Sequence, residues 1–249
     1  MNEKLCGAKR KPAPNPTNWQ FAALSVCKNA SKETIPSKAS IKSGFPVVYN
    51  QIYSNCTSNA VLGCDDYYYH NKPSWVPSTV FTYWIQRKIE GNLKGPDDGS
   101  TVEIALDAVR KYGACNSKVW PNDSSYLAKP SKEAFADGLK GHEIAKYYNT
   151  KSLLQIKKAI AKGYPVAASF TWPFNRLEGY VLKTDMTDKQ IRNCDLGHAV
   201  VIVGYDDTLK RFEIRNSWGS SWGNNGYCYM TYDMAKKCIW FDDAYAVVR

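Results

Sequence analysis

Apolar residues change their spacing once along this chain. From Ala60 to about residue 160 they recur at steps of three and four, which is the period of amphipathic helices. From Pro165 onward they form short apolar runs or alternate with polar residues, as in β-strands. Helices followed by strands predict an α+β fold with two layers or lobes.

Capping residues and glycines mark the ends of the predicted helices. Residues 100–103 read S-T-V-E, a capping box in which serine and glutamate satisfy free amides of the first turn. Gly113 is expected to end that helix, because glycine readily takes the conformation of a helix C-terminus. The predicted helices begin near residues 56, 77, 100 and 152, and the predicted strands cover residues 165–170, 199–203, 211–216, 227–232 and 244–248.

Cys56 lies where a polar loop becomes the first helix. Residues 50–55 are polar or turn-forming and show no helical period. The amides of a first helical turn have no acceptor within the helix, and their partial positive charge favours a thiolate over a thiol. Cys56 is therefore a candidate nucleophile. The competing interpretation is a buried, inert cysteine.

Length and composition describe a folded protein without a membrane span. The 249 residues, 44% of them hydrophobic, can bury a large core. No apolar run approaches the roughly 20 residues that a membrane helix needs. The N-terminus is basic but lacks a following apolar core, so no signal peptide is recognisable and the compartment stays open.

The charge is strongly basic but not concentrated. The 33 basic and 23 acidic residues give a formal net charge of +10, with no run of five or six basic residues. Such a field attracts acidic partners. We favour an ordinary solvated basic surface over a dedicated nucleic-acid site.

The eight cysteines contain no CxxC pair, so neither a metal site nor a metal cofactor is predicted. If Cys56 is free, the other seven cannot all pair within one chain. Residues 1–30 include a proline-rich basic tract at 9–16. This composition predicts a leader or strap segment, distinct from a main domain over residues 31–249.

Two residues of the strand-forming half can complete a site around Cys56. His198 directly precedes the apolar strand 199–203, and Asn216 has the parity of the inward-facing residues of its own strand. Antiparallel pairing across a turn at 206–210 would return Asn216 to the neighbourhood of His198. An asparagine oxygen can accept the imidazole N–H and leave the other ring nitrogen for a thiol proton.

The motif around Asn216 carries a specific resemblance. Residues 216–227 read N-S-W-G-S-S-W-G-N-N-G-Y, which matches the pattern N-S-W-G-x-x-W-G-x-x-G-Y at every fixed position. With G-H-A at 197–199 and the stretch from Pro46 to Cys56, the chain resembles the papain-like cysteine proteases of the cathepsin group over roughly residues 35–249. Around the nucleophile it is similar to the branch with C-T-x-N-A.

The resemblance implies an architecture and an activity. The fold would have a helical N-terminal lobe over about 50–140, an antiparallel β-barrel-like C-terminal lobe over about 141–249, and the active-site cleft between them. The activity would be that of a monomeric cysteine endopeptidase that forms a thioester acyl-enzyme on protein or peptide substrates, without a cofactor. The alternative, which the basic charge favours, is a catalytically idle papain-like fold that binds nucleic acid or an acidic partner.

The resemblance also implies roles for single residues. Cys56 would attack the peptide carbonyl, His198 would transfer the proton, and Asn216 would orient the imidazole. Trp218 would cover the hydrogen bond between His198 and Asn216. His70 and His142 match nothing catalytic and are expected to be surface or packing residues.

Gln51, together with the amide of Cys56, would form the oxyanion hole. Gln51 stands five residues before Cys56, where the family usually has six, and Asn50 stands at six. The flanking residues favour Gln51 with a one-residue deletion in the loop.

Three further expectations rest on the resemblance. The leader takes the place of a pro-segment and either packs on the surface or lies in the cleft and partly restrains activity. The competing interpretation is a disordered tail. A disulfide would join Cys194 to Cys238. Gly197 would contact substrate, and Asp243, or Asp242 if the register slips by one, would form the floor of a pocket where a substrate arginine pairs with its carboxylate. The competing interpretation is that both aspartates cap a surface turn.

Overall fold

The computed structural model describes residues 6–10, 34–69, 75–140, 144 and 146–249. Helices build the N-terminal lobe, as the apolar period predicts. Three of them share a hydrophobic cluster that includes Phe81, Ala108 and Ala134. These helices are α1 (Cys56–Tyr69), α2 (Thr79–Ile89), α3 (Val102–Tyr112) and the shorter α4 (Lys132–Gly138), of which α2, α3 and α4 contribute to that cluster.

The predicted capping box is wrong by one residue. The N-cap of α3 is Thr101, whose hydroxyl accepts a hydrogen bond from the amide of Ile104 at 3.2 Å. Ser100 cannot cap the helix because its backbone is committed elsewhere, to the amide of Lys9 and the carbonyl of Gly7. Gly113 ends α3 with a φ of +69°, which confirms the predicted stop.

Strands build most of the C-terminal lobe. The short helices α5 (Leu153–Ala161), α6 (Asp188–Arg192) and α7 (Tyr232–Cys238) lie among them, so the order of helices before strands holds only approximately. The strands are β1 (Lys38–Ser40), β2 (Lys146–Asn149), β3 (Val166–Thr171), β4 (Arg176–Glu178), β5 (Val181–Lys183), β6 (Gly197–Asp206), β7 (Arg211–Arg215), β8 (Tyr227–Thr231) and β9 (Ile239–Val248).

The sheet differs from the expected barrel. Its order is β2-β9-β3-β6-β7-β8-β5-β4, with β1 paired to β6, and every pair is antiparallel except β5 with β8. Within the part of the chain that the structure describes, the end strands β2 and β4 do not pair with each other. The strand lobe is therefore an open, antiparallel-dominated sheet, and the α+β two-lobed fold is confirmed without the barrel.

The hairpin of β6 and β7 places the predicted base and its partner together. Val201 pairs with Arg215 in this hairpin, so the start of β6 and the residue after β7 meet at the same end of the sheet. His198 and Asn216 occupy those two places. The predicted return of the chain is therefore observed.

The two lobes meet along α1 and β6. Cys56, Val61, Ala199 and Val201 belong to one hydrophobic cluster that spans both lobes. The first residue of α1 therefore faces the first residues of β6. This boundary is where the candidate site lies.

None of the helices in the described ranges combines the length and apolar character that crossing a membrane requires. Among those same residues, no three His, Cys, Asp or Glu side chains gather as metal ligands would.

Candidate active site

Cys56 is fully buried at the first position of α1. Burial has the largest effect on the pKa of its thiol. Four backbone amides act against burial and lower that pKa: those of Ala199 from β6, of Gly7 from the N-terminal segment, and of Thr57 and Cys56 in the first turn of α1. Burial acts more strongly in the opposite direction and raises the pKa of Cys56 to about 11. The thiolate expected from the helix N-terminus is therefore disfavoured in this structure, because desolvation outweighs the amides.

His198 is oriented by Asn216. Its Nε2 lies 2.7 Å from Asn216 Oδ1, which also accepts the amide of Ser217 at 2.8 Å. Because that oxygen can only accept, Nε2 carries the hydrogen and Nδ1 keeps its lone pair. Nδ1 is buried and has no hydrogen-bond partner among the described residues. The imidazole can therefore accept a proton on the side away from Asn216.

Two tryptophans enclose the imidazole. Trp218 stacks on the ring of His198 at a centroid distance of 4.8 Å, and Trp172 meets it edge-on at 4.7 Å. Burial lowers the pKa of His198 to about 4, although the bond to Asn216 raises it in part. Sequence reasoning missed Trp172. The available signal was its position just beyond the predicted strand 165–170, where it extends the apolar run.

Gln51 is the buried member of the pair considered for the oxyanion hole, whereas Asn50 is exposed. The Gln51 amide nitrogen donates to the carbonyl of Tyr53 at 3.0 Å, and its side-chain oxygen accepts from the Ser217 hydroxyl. Its backbone amide donates to the Ser217 carbonyl at 2.8 Å. Ser217 thus holds Gln51 across the lobe boundary, a role that sequence reasoning did not assign.

Residues 6–10 are the part of the predicted leader that the structure describes, and the name strap refers to these five residues from here on. They run between the two lobes past Cys56. The Ala8 amide donates to the Gly197 carbonyl at 2.9 Å, and the Ser100 amide donates to the Gly7 carbonyl at 2.9 Å. Ala8 forms a parallel bridge with Ser100, and its side chain is buried in the cluster that contains Cys56. The strap therefore occupies backbone partners on both walls beside the thiol.

The strap also contacts the walls through side chains. Lys9 Nζ lies 2.9 Å from Asp98 on the helical side. On the sheet side, the guanidinium of Arg10 lies 4.5 Å from the centroid of the Trp240 ring and donates to the Thr171 hydroxyl at 3.2 Å. Of the predicted leader, only these five residues are described.

Asp243 lies beneath the cleft but already has partners inside the protein. Its carboxylate accepts the amides of Val102 and Glu103 at 3.0 and 3.1 Å, and the Ser169 hydroxyl at 2.6 Å. It is 1% exposed and ties the start of α3 to β9. The expected unpaired anion that needs a substrate cation is therefore not what the structure contains.

Gly197 has no room for a side chain. A Cβ there would lie 2.1 Å from the Ala8 carbonyl oxygen and 2.6 Å from Trp240. Close backbone approach to the strap therefore requires glycine at this position.

Cys194 and Cys238 are both free thiols in the structure, so the disulfide expected between them is absent. Burial raises the pKa of Cys238 to about 12, and the nearby thiol of Cys194 contributes to this rise. His70 and His142 lie outside the described residues.

Comparison with known proteins assigns the chain to a class. The model of the papain family of cysteine proteases matches residues 47–248. The chain therefore belongs to the papain family.

Particular relatives are similar over different lengths. An uncharacterized peptidase C1-like protein of Acanthamoeba polyphaga mimivirus is 30% identical over 192 residues, which cover 72% of this chain and 61% of that protein. Mouse cathepsin K is 31% identical over 150 residues, covering 56% of this chain and 43% of cathepsin K. The chain thus spans about half the length of these relatives.

Solved structures agree on the fold. Xylellain, a cysteine protease from Xylella fastidiosa, superposes with a TM-score of 0.80 and 25% identity, over 99% of this chain and 97% of its own. Digestive procathepsin L 3 from the Tenebrio molitor larval midgut superposes with a TM-score of 0.70 and 16% identity, over 99% and 77%. The second likeness concerns the fold alone.

Proposed function

We propose that this protein is a cysteine endopeptidase whose nucleophile is Cys56. The observation that carries the proposal is the hydrogen bond of 2.7 Å between His198 Nε2 and Asn216. It leaves Nδ1 with a lone pair, one residue from the Ala199 amide that contacts the Cys56 sulfur. A base oriented beside a thiol is the arrangement that nucleophilic catalysis requires.

The chemistry follows from this placement. His198 Nδ1 takes the thiol proton as the Cys56 sulfur attacks the peptide carbonyl, and the carbonyl oxygen becomes an oxyanion. Donors at the side chain of Gln51 and the amide of Cys56 stabilise that charge. The intermediate collapses to a thioester as His198 gives its proton to the leaving amine. Water, deprotonated by His198, then attacks the thioester, and the carboxylic acid product and the thiol are released.

The strap supports a latent form of this enzyme. Gly7 and Ala8 occupy backbone partners that flank Cys56, and both members of the thiol–imidazole pair are buried and neutral beneath them. A substrate must displace these five residues to reach the sulfur. We propose that the leader acts as a pro-segment in this way.

Protein or peptide chains are the proposed substrates. The Gly197 carbonyl and the Ser100 backbone, which the strap uses, offer hydrogen bonds to any extended peptide. Asp243 supports that surface from below by holding the start of α3. Trp218 keeps water from the imidazole through its stacking contact. We propose that the enzyme acts as a monomer.

The test combines labelling with hydrolysis. A peptidyl epoxide should modify the wild-type chain at Cys56, and Cys56→Ala should lose labelling and at least about 10³-fold in kcat/KM on fluorogenic peptides. Cys194→Ala is the matched control, because it removes another free thiol outside the site and should keep wild-type turnover.

Intact hydrolysis in Cys56→Ala would refute the proposal. Absence of both labelling and turnover in the wild-type chain, even after the strap is displaced by mutation, would favour the idle basic binding protein instead.

A further inference from the structure

We infer that Trp240 and Thr171 form a subsite for a basic side chain of the peptide, arginine before lysine, which is occupied by Arg10 in this structure. The inference rests on the proposed peptidase function and names a substrate class for it. The subsite lies on the sheet wall of the cleft, where β3 and β9 run side by side.

The indole is held in one orientation. Trp240 Nε1 donates to the Thr171 hydroxyl at 2.9 Å, and the ring is 6% exposed. The ring also packs against Gly197, where an added Cβ would lie only 2.6 Å from it. Because Gly197 directly precedes His198, the indole belongs to the wall of the candidate site. A fixed aromatic face beside the base is a preformed recognition element.

The contacts of Arg10 indicate which kind of side chain binds to Trp240 and Thr171. Its guanidinium lies over the indole at 4.5 Å and donates to the Thr171 hydroxyl at 3.2 Å. The hydroxyl oxygen has two lone pairs, so it can accept from Arg10 and from the indole together. Arg10 has no ion-pair partner among the described residues, so the ring and the hydroxyl are its recognition elements.

The chemistry favours a guanidinium over an ammonium. A planar guanidinium can stack on the indole face and still direct an N–H toward the hydroxyl. An ammonium is more strongly hydrated and has no planar face to stack. We therefore expect arginine to be preferred to lysine, and both to be preferred to leucine.

The backbone of the strap shows how a substrate would reach the subsite. Ala8 is anchored on Gly197 and Ser100, and Arg10 follows two residues later, on the same side of an extended chain. A substrate that replaces the strap would use the same backbone partners. Its side chain two or three residues from the reacting carbonyl would then lie over Trp240.

The experiment measures selectivity on the full-length chain. A positional library of fluorogenic peptides should give higher kcat/KM for arginine than for leucine at one position, and Trp240→Leu should lower that ratio about 5- to 30-fold. Trp240→Phe keeps an aromatic face and should lose less. Thr171→Val keeps the shape, removes the hydroxyl and should lower the ratio about 2- to 5-fold.

Two control variants keep the result specific. Tyr229→Leu removes the ring of another cation–π pair, in which Arg211 lies 3.7 Å above Tyr229 on β8, three strands away from β3. It should leave the ratio unchanged. Asp243→Asn removes the negative charge but also places an NH2 group against the donors of Val102, Glu103 or Ser169, so its overall turnover can fall. The arginine-to-leucine ratio should still be kept, because Trp240 and Thr171 recognise the cation.

The outcomes separate this inference from the proposed function. Hydrolysis without a preference for arginine, or with a preference that survives Trp240→Leu, overturns the subsite and leaves the peptidase standing. If the preference for arginine is lost in Asp243→Asn but kept in Trp240→Leu, the carboxylate of Asp243 recognises the cation, and the proposed subsite is also refuted. If Trp240→Leu does not fold, Trp240→Phe and Thr171→Val decide, and an unchanged ratio in both refutes the subsite. Failure of every substrate, even after the strap is displaced by mutation, contradicts the peptidase itself.

Discussion

On the sheet side of the cleft His198 is held by residues of its own lobe, whereas on the helical side Cys56 is contacted by its own helix, by the other lobe and by the strap. The imidazole is fixed by Asn216 and stacked by Trp218, both placed by the same sheet. The amides that act on the sulfur come from Ala199 across the boundary, from Gly7 in the strap, and from Thr57 and Cys56 in the first turn of α1.

The difference means that the orientation of His198 and the ionisation of Cys56 are controlled by different parts of the protein. His198 keeps its hydrogen on Nε2 whether or not the strap is present, because Asn216 belongs to the same lobe. The ionisation of the Cys56 thiol depends mainly on its burial, which raises the pKa of Cys56 to about 11 in this structure. The same structure therefore orients the imidazole of His198 and keeps the thiol of Cys56 protonated.

The largest expected effect comes from breaking the sheet side. Asn216→Ala frees the imidazole to rotate and should lower kcat roughly 10- to 100-fold with little change in KM, because misorientation affects the chemical step. Steady-state kinetics measures it. Asn224→Ala, in the same loop but with only backbone hydrogen bonds assigned, should retain the wild-type rate. Equal losses in both variants would mean that the loop as a whole, rather than the amide oxygen, orients the base.

The stability of the folded protein should depend on pH through the buried imidazole of His198. The folded protein lowers the pKa of His198 to about 4 from an ordinary value of 6.5, so the unfolded chain binds this proton first as pH falls. The stability that neutral His198 contributes is therefore fully present above pH 6.5 and is lost as pH falls from 6.5 through about 4, by roughly 3 kcal/mol. Urea unfolding at several pH values measures the loss.

His198→Gln is the control for this measurement, since it removes the titrating group and should flatten that part of the profile. Displacement of the strap should leave that part of the profile in place, because Trp172, Trp218 and Asn216, which enclose and orient the imidazole, belong to its own lobe. The same steepness in wild type and His198→Gln would assign the acid sensitivity to other groups.

The smallest expected effect comes from opening the strap. A Cβ on Gly7 would lie 2.1 Å from the Ser54 carbonyl oxygen, so Gly7→Val cannot keep the observed contact. Loss of one or two backbone hydrogen bonds should raise both turnover and Cys56 labelling about tenfold. Lys9→Ala removes only a half-exposed ion pair with Asp98 and should change them less than about twofold. Unchanged turnover in Gly7→Val would show that the strap does not limit access.

The sequence by itself determined the local features of this protein. Helix period, the stop at Gly113 and the alternation of the strands are properties of neighbouring residues, so they can be read without a tertiary structure. The motif at residues 216–227 identified the family because its order along the chain is specific. Cys56, His198 and Asn216 could be named for the same reason.

Only the tertiary structure determined the hydrogen-bond partners, the burial and the pKa of the individual side chains. The cap of α3 moved from Ser100 to Thr101 because the strap, far away in sequence, takes the backbone of Ser100. Asp243 became a buried support rather than a free anion because three donors from other elements converge on it. Burial, pKa and the packing of Trp240 against Gly197 depend on contacts between distant segments, which local pattern does not specify.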